Sequence, residues 1–172
     1  CGAGKFWAMV NQAVLTRPIP EDERAMGAYR HLLLGLDLSS ESHQVVARAV
    51  AMRDAFGCEL SVVHVIEPLS FAYGGDIPMD FSGIQEEIHK QARVHLAQIC
   101  DPLNIPERNR HLVVGRAETE IHHIAEEAGV DLIVVGSHGR RGLALLMGST
   151  ANGVLHGAKC DVLAVRVKPT GR

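Results

Sequence analysis

From residue 30 onward, short runs of Val, Leu and Ile alternate with longer stretches in which apolar residues recur every three or four positions. Unbroken apolar runs mark strands buried on both faces, and the longer stretches carry the helical period. Strands are predicted over His31 to Leu36, Leu60 to Ile66, Arg110 to Val114, Asp131 to Gly136 and Asp161 to Val167. The first helix should span about Ser42 to Phe56, with Val45, Val46, Ala49, Val50 and Met52 as its stripe, Ser39 or Ser40 capping its entry and Gly57 ending it. A second is predicted over about Ile84 to Leu103, a third over Ala117 to Ala128 closed by Gly129, and a fourth over about Ser149 to His156 closed by Gly157.

The order is therefore β-α-β-α-β-α-β-α-β. Right-handed crossovers between parallel strands place helices on both faces, so the predicted fold class is α/β, a doubly wound five-stranded parallel sheet. Such a sheet binds its ligand outside the carboxyl ends of the strands, where the strand order reverses.

Composition narrows the function. The 172 residues are 47% hydrophobic, 22% charged and 4% aromatic, which describes one globular domain with an aliphatic core. A net charge of −3 and a pI near 6.4 supply no broad positive field, so no nucleic-acid partner is expected. The apolar runs, such as Leu132 to Val135, fall far short of the roughly 20 residues of a membrane span, so no membrane partner is expected either. Cys1, Cys58, Cys100 and Cys160 are scattered without metal-ligand spacing, which fits a reducing compartment. The ten histidines include the neighbours His122 and His123, which point about 100° apart on a helix, so surface histidines rather than a metal site are expected. Residues 1–29 show no sustained period and are expected to be an extension outside a domain over 30–168, with 169–172 as a tail. Mature bacterial lipoproteins also begin with cysteine, but a clipped or misassigned start is the favoured reading of Cys1.

Three loops follow strand ends. In the first, Asp37 could accept the hydroxyls of a ribose or help cap the first helix, and position alone does not separate the two. In the second, His64-Val65-Ile66-Glu67-Pro68, an apolar edge could press on a flat base. The third is the most informative. Gly136-Ser137-His138-Gly139-Arg140-Arg141-Gly142 leads to Gly148-Ser149-Thr150 at a helix start. Glycines admit close backbone approach, the helix start offers free N–H groups, and His138, Arg140 and Arg141 add positive charge, so a phosphate is the expected ligand. A turn with an N-cap would account for Gly136, Gly148 and Ser149 but not for the other small and basic residues.

These residues together resemble the universal stress protein family. The likeness rests on Tyr29-Arg30-His31-Leu32-Leu33-Leu34-Gly35-Leu36-Asp37-Leu38-Ser39, on His64-Val65, and on Gly136-Ser137-His138-Gly139 followed by Gly148-Ser149-Thr150-Ala151. The resemblance implies a Rossmann-like, adenine nucleotide α-hydrolase-like fold, a cytoplasmic stress-response role and a homodimer formed through the strand at 161–167. It also implies ATP, or AMP or ADP, as ligand, accompanied by Mg, with Asp37 on the ribose and Leu38 and Val65 about the adenine. Gly136, His138, Gly139, Arg140, Gly148, Ser149 and Thr150 would surround the phosphates. ATP-binding members carry a G-x2-G-x9-G-[ST] loop, and here eight residues rather than nine separate Gly139 from Gly148. Gly142 could absorb the shortening. No Walker lysine, carboxylate pair or Ser-His-Asp set is evident, so a binding switch with at most slow ATP hydrolysis is expected. The alternatives are a nucleotide-free dimeric adaptor resembling universal stress protein A, and an adenylyl-transferring or ATP-hydrolysing enzyme. The second is disfavoured because Leu36-Asp37-Leu38-Ser39-Ser40 replaces the S-G-G-x-D-S loop of such enzymes.

Overall fold

A computed structural model describes residues 29–68, 82–138 and 148–168. Its elements run β1 (His31–Leu36), α1 (Ser42–Phe56), β2 (Glu59–Ile66), α2 (Ser82–Cys100), β3 (Arg110–Val114), α3 (Ala117–Glu127), β4 (Leu132–His138), α4 (Ser149–Gly157) and β5 (Asp161–Val167). The five strands form one parallel sheet in the order β3-β2-β1-β4-β5.

β1 lies at the centre, and Leu32, Leu33 and Leu34 have no exposed surface. Successive side chains of a strand point to opposite faces, so this one run supplies both halves of the core. Leu32, Leu34, Val62 and Val134 meet Val45 and Ala49 of α1 and Leu96 and Cys100 of α2. On the other face Leu33, Val63 and Ile133 pack against Ile121 and Ile124 of α3 and Val154 of α4. Burying each Val, Leu or Ile among these side chains contributes about 1.5–3 kcal/mol. The chain enters the sheet through polar ties. The Asp131 carboxylate accepts the Arg30 N–H at 2.9 Å and the His31 N–H at 3.1 Å. Tyr29, assigned to the extension from sequence, packs edge-on against Phe56 and donates its hydroxyl to Asp161 Oδ2 at 2.8 Å.

Element ends differ from the sequence reading for local reasons. α2 stops at Cys100 and gives way to a 3-10 turn over Asp101–Leu103, because Pro102 has no N–H to continue the α ladder. β4 starts one residue later than predicted, at Leu132, and runs on to His138 beside Val167. Gly57 and Gly129 close α1 and α3 in left-handed conformations, as expected. Gly157 does not close α4 that way: it belongs to the helix, and a Cβ there would run into the His122 ring. One turn earlier, a Cβ on Gly153 would come within 3.0 Å of Glu118 Cβ. Two side chains four residues apart on α3 thus sit over two glycines four residues apart on α4.

Several histidines are structural rather than solvated. His31 bridges the Ala128 carbonyl at 3.1 Å and Ser61 Oγ at 2.8 Å, and His122 Nε2 donates to the Val154 carbonyl at 2.9 Å. His111 Nε2 is buried without a hydrogen-bond partner among the described residues. Burial pushes the His111 imidazole below its ordinary range, and His31 adds to the shift. The unfolded chain then binds the proton more readily than the folded one. This contribution to stability is complete above the ordinary histidine pKa of about 6.5 and is lost as pH falls through the lowered folded value. Acidifying from about pH 7.5 to about pH 5 should lower Tm, and His111→Leu should flatten the slope; an unchanged slope in that variant would assign the effect elsewhere.

Candidate functional site

The strand order reverses between β1 and β4. Past β1 the chain enters α1 on one face, whereas past β4 it continues to α4 on the other, and a cleft of about 1060 Å³ lies at these carboxyl ends. Gly35 and Gly136 belong to its lining. A Cβ on Gly35 would press on Val135 Cγ1 at 3.1 Å, and one on Gly136 on Val45 Cγ2 at 3.1 Å and Val167 Cγ2 at 3.3 Å. A side chain at either position would have to push its neighbour aside by a few tenths of an ångström, and both glycines leave bare backbone in the cleft.

One wall is built at the end of β1. Leu38 adopts a left-handed backbone, φ 55°, uncommon for a residue with a side chain, and this bends the chain sharply toward α1. The bend lets Asp37 Oδ1 accept the Ser39 N–H at 3.0 Å and the Ser42 hydroxyl at 2.7 Å. Neither Ser39 nor Ser40 caps α1: its N-cap position is Glu41, with no side-chain cap hydrogen bond, because Asp37 already orders the turn. Behind this wall His64 Nδ1 donates to the Leu36 carbonyl at 2.8 Å and steadies the strand end.

The opposite wall is the start of α4. Gly148 occupies the N-cap position, with φ −54° and ψ 152°, and its carbonyl accepts the Asn152 N–H at 2.9 Å. Ser149 is the first helical residue rather than the cap, so its hydroxyl is not committed to closing the helix end. Ser149 and Thr150 are both exposed at the cleft.

Three helices present their first residues here: Ser42 of α1, Ala117 of α3 and Ser149 of α4. Each helix start carries roughly half a positive charge. Asp37 stands beside the start of α1, and Glu118 and Glu120 occupy the first turn of α3. The first turn of α4 holds no acidic residue and follows a glycine. Its positive end is the least compensated of the three, whereas the α1 side, with Asp37, offers hydrogen-bond acceptors. The cleft is thus polarised, one end suited to an anion and the other to hydroxyl or amine donors.

Of the residues singled out from sequence, Asp37, Val65, Gly136, Gly148, Ser149 and Thr150 share this one cleft. Leu38 adjoins it but packs its side chain against the core beside α1 and α2. The His138 side chain, Gly139 and Arg140 lie outside the described residues. Sequence reasoning missed Ile88 of α2 and Ala117 and Ile121 of α3, which also line the cleft. Ile88 did stand in the predicted apolar stripe, and Ala117 at a predicted helix start, but only the strand order brings them here. Among the described residues no cluster of three or more His, Cys, Asp and Glu could hold a metal ion, and no helix is long and apolar enough to cross a membrane.

Comparison with known proteins converges on one group. The universal stress protein family profile matches residues 28–166. Universal stress protein A homolog 1 of Coxiella burnetii is 41% identical over 142 residues, covering 81% of this chain and 98% of the homolog. Universal stress protein A homolog 2 of the same organism is 40% identical over 147 residues, 83% of this chain and 99% of its own. Among solved structures, a universal stress protein in complex with cAMP superposes with a TM-score of 0.57 at 24% identity, covering 81% of this chain and 98% of its own. With a profile match over most of its length and close relatives of the same span, the chain belongs to the universal stress protein family.

Proposed function

We propose that the protein is a stress-response regulator that binds an adenine nucleotide, with ATP as its principal ligand, and acts as a switch rather than as a fast enzyme. The observation that carries this reading is the polarised cleft, with Asp37 on one wall and the start of α4 on the other. Asp37 takes the ribose hydroxyls, and Val65 lies against the adenine with the Leu38 turn beside it. Backbone N–H groups of the first turn of α4, with Ser149, Thr150 and the bare backbone at Gly136 and Gly148, receive phosphate oxygens. His138, Gly139 and Arg140 complete the phosphate loop. Magnesium would enter with the nucleotide, would supply charge neutralisation to the phosphates and would require few protein ligands. The cAMP held by a structural relative supports an adenine ligand for this fold.

A nucleotide-free dimeric adaptor in the cytoplasm is the second reading. Its support is the eight-residue spacing between Gly139 and Gly148 and the outer edge of β5, which no strand of the described residues covers. Unpaired strand edges invite pairing with a second copy, here related by twofold symmetry.

Thermal unfolding separates the readings. Mg-ATP at about 100 times its dissociation constant should raise Tm by on the order of 10 °C, and no shift at millimolar nucleotide would sink the first reading. Gly148→Val should abolish the shift while keeping the fold, since a branched side chain at the N-cap obstructs the phosphate approach; retained binding would place the nucleotide elsewhere. Sedimentation should give a dimer at micromolar concentration that Ala164→Pro disrupts, and a monomeric wild type would remove the edge-pairing proposal.

A further inference from the structure

We infer that His122 is a positioning residue for the anion end of the cleft: it holds α4 against α3 and so fixes where the first turn of α4 stands. The inference rests on the phosphate reading of that turn. Among the residues described, His122 Nε2 donates to the Val154 carbonyl at 2.9 Å, and that carbonyl also accepts the Ala158 N–H at 3.0 Å. A carbonyl only accepts, so the proton is on Nε2. The ring can reach this carbonyl because Gly157 leaves room for it, while Gly153 receives the Glu118 stem one turn closer to the cleft. The pairs Glu118 over Gly153 and His122 over Gly157 form a two-point seat, and a one-residue slip of α4 along its axis, about 1.5 Å, would carry both glycines out from under their partners.

Beside this seat lies a second cavity of about 120 Å³, lined in part by His122, Ala125, Ala158 and Cys160. Close packing therefore does not brace the last turn of α4 on that side, and the directional hydrogen bond supplies the constraint that packing leaves out. α4 has only nine residues, so a shift at its last turn reaches Ser149 and Thr150 as a rigid-body movement. The adenosine end of the cleft, built on β1 and β2, has no share in this contact.

Wild type, His122→Ala, His122→Gln and Gly157→Ala are titrated with Mg-ATP and with adenosine, and their amide hydrogen exchange is measured without ligand. His122→Ala and Gly157→Ala should each weaken ATP about fivefold, leave adenosine affinity unchanged, and speed exchange at Asn152 to Leu155 relative to α1. His122→Gln, whose amide can donate to the same carbonyl, should recover part of the loss, and a double variant carrying both His122→Ala and Gly157→Ala should be no weaker than either single one. If His122→Ala does not fold, Gly157→Ala, which keeps the imidazole but displaces it, carries the same comparison. Unchanged ATP affinity in the folded variants, an equal loss for adenosine, or additive losses in the double variant would overturn the inference. Failure of wild type to bind ATP removes the nucleotide reading instead, and hydrogen exchange then decides alone whether His122 holds α4: unchanged exchange in the variants overturns that role.

Discussion

The structure depends on one central strand being buried on both sides. Leu32, Leu33 and Leu34 lie wholly inside the protein, and no single layer of helices could cover them. Two layers are obligatory, and the chain must therefore leave β1 and β4 toward opposite faces. That divergence opens the cleft. The cleft is in this sense a by-product of hydrophobic burial.

Charge then decides what the vacancy suits. Three helix starts point at it, but Asp37 beside α1 and Glu118 and Glu120 in α3 offset two of them. What remains is a dipole across the cleft from the start of α4 to the Asp37 wall. Backbone groups make most of the positive end, and backbone groups cannot titrate. The charge of this helix start does not change with pH, in contrast to the half-buried imidazole of His111 in β3.

The sequence pattern disclosed the strands well because each lies in a sheet covered on both faces, which leaves apolar runs that need no neighbour to be understood. The left-handed closures at Gly57 and Gly129 were legible for the same local reason. Gly157 was not: it looks like another helix end, yet its lack of a side chain serves the His122 ring on a different helix. The same limit applies to the site. Asp37, Val65 and Gly148 were legible because strand ends and helix starts announce themselves. Ile88 and Ala117 were not, since their convergence follows from strand order, which no local pattern encodes. The ambiguity of Asp37 has a physical origin as well. Its carboxylate orders the turn into α1 and borders the cleft at once, so the two readings describe one arrangement.

At the other end of the sheet, Asp131 grips the backbone ahead of β1 and Asp161 holds the Tyr29 hydroxyl. Six residues of extended strand, roughly 20 Å, separate that anchorage from the cleft. Tyr29, where the described chain begins, thus stands at the pole opposite the cleft. Asp131 and Asp161 can thus secure the first described residues of the chain without competing for any group that lines the cleft.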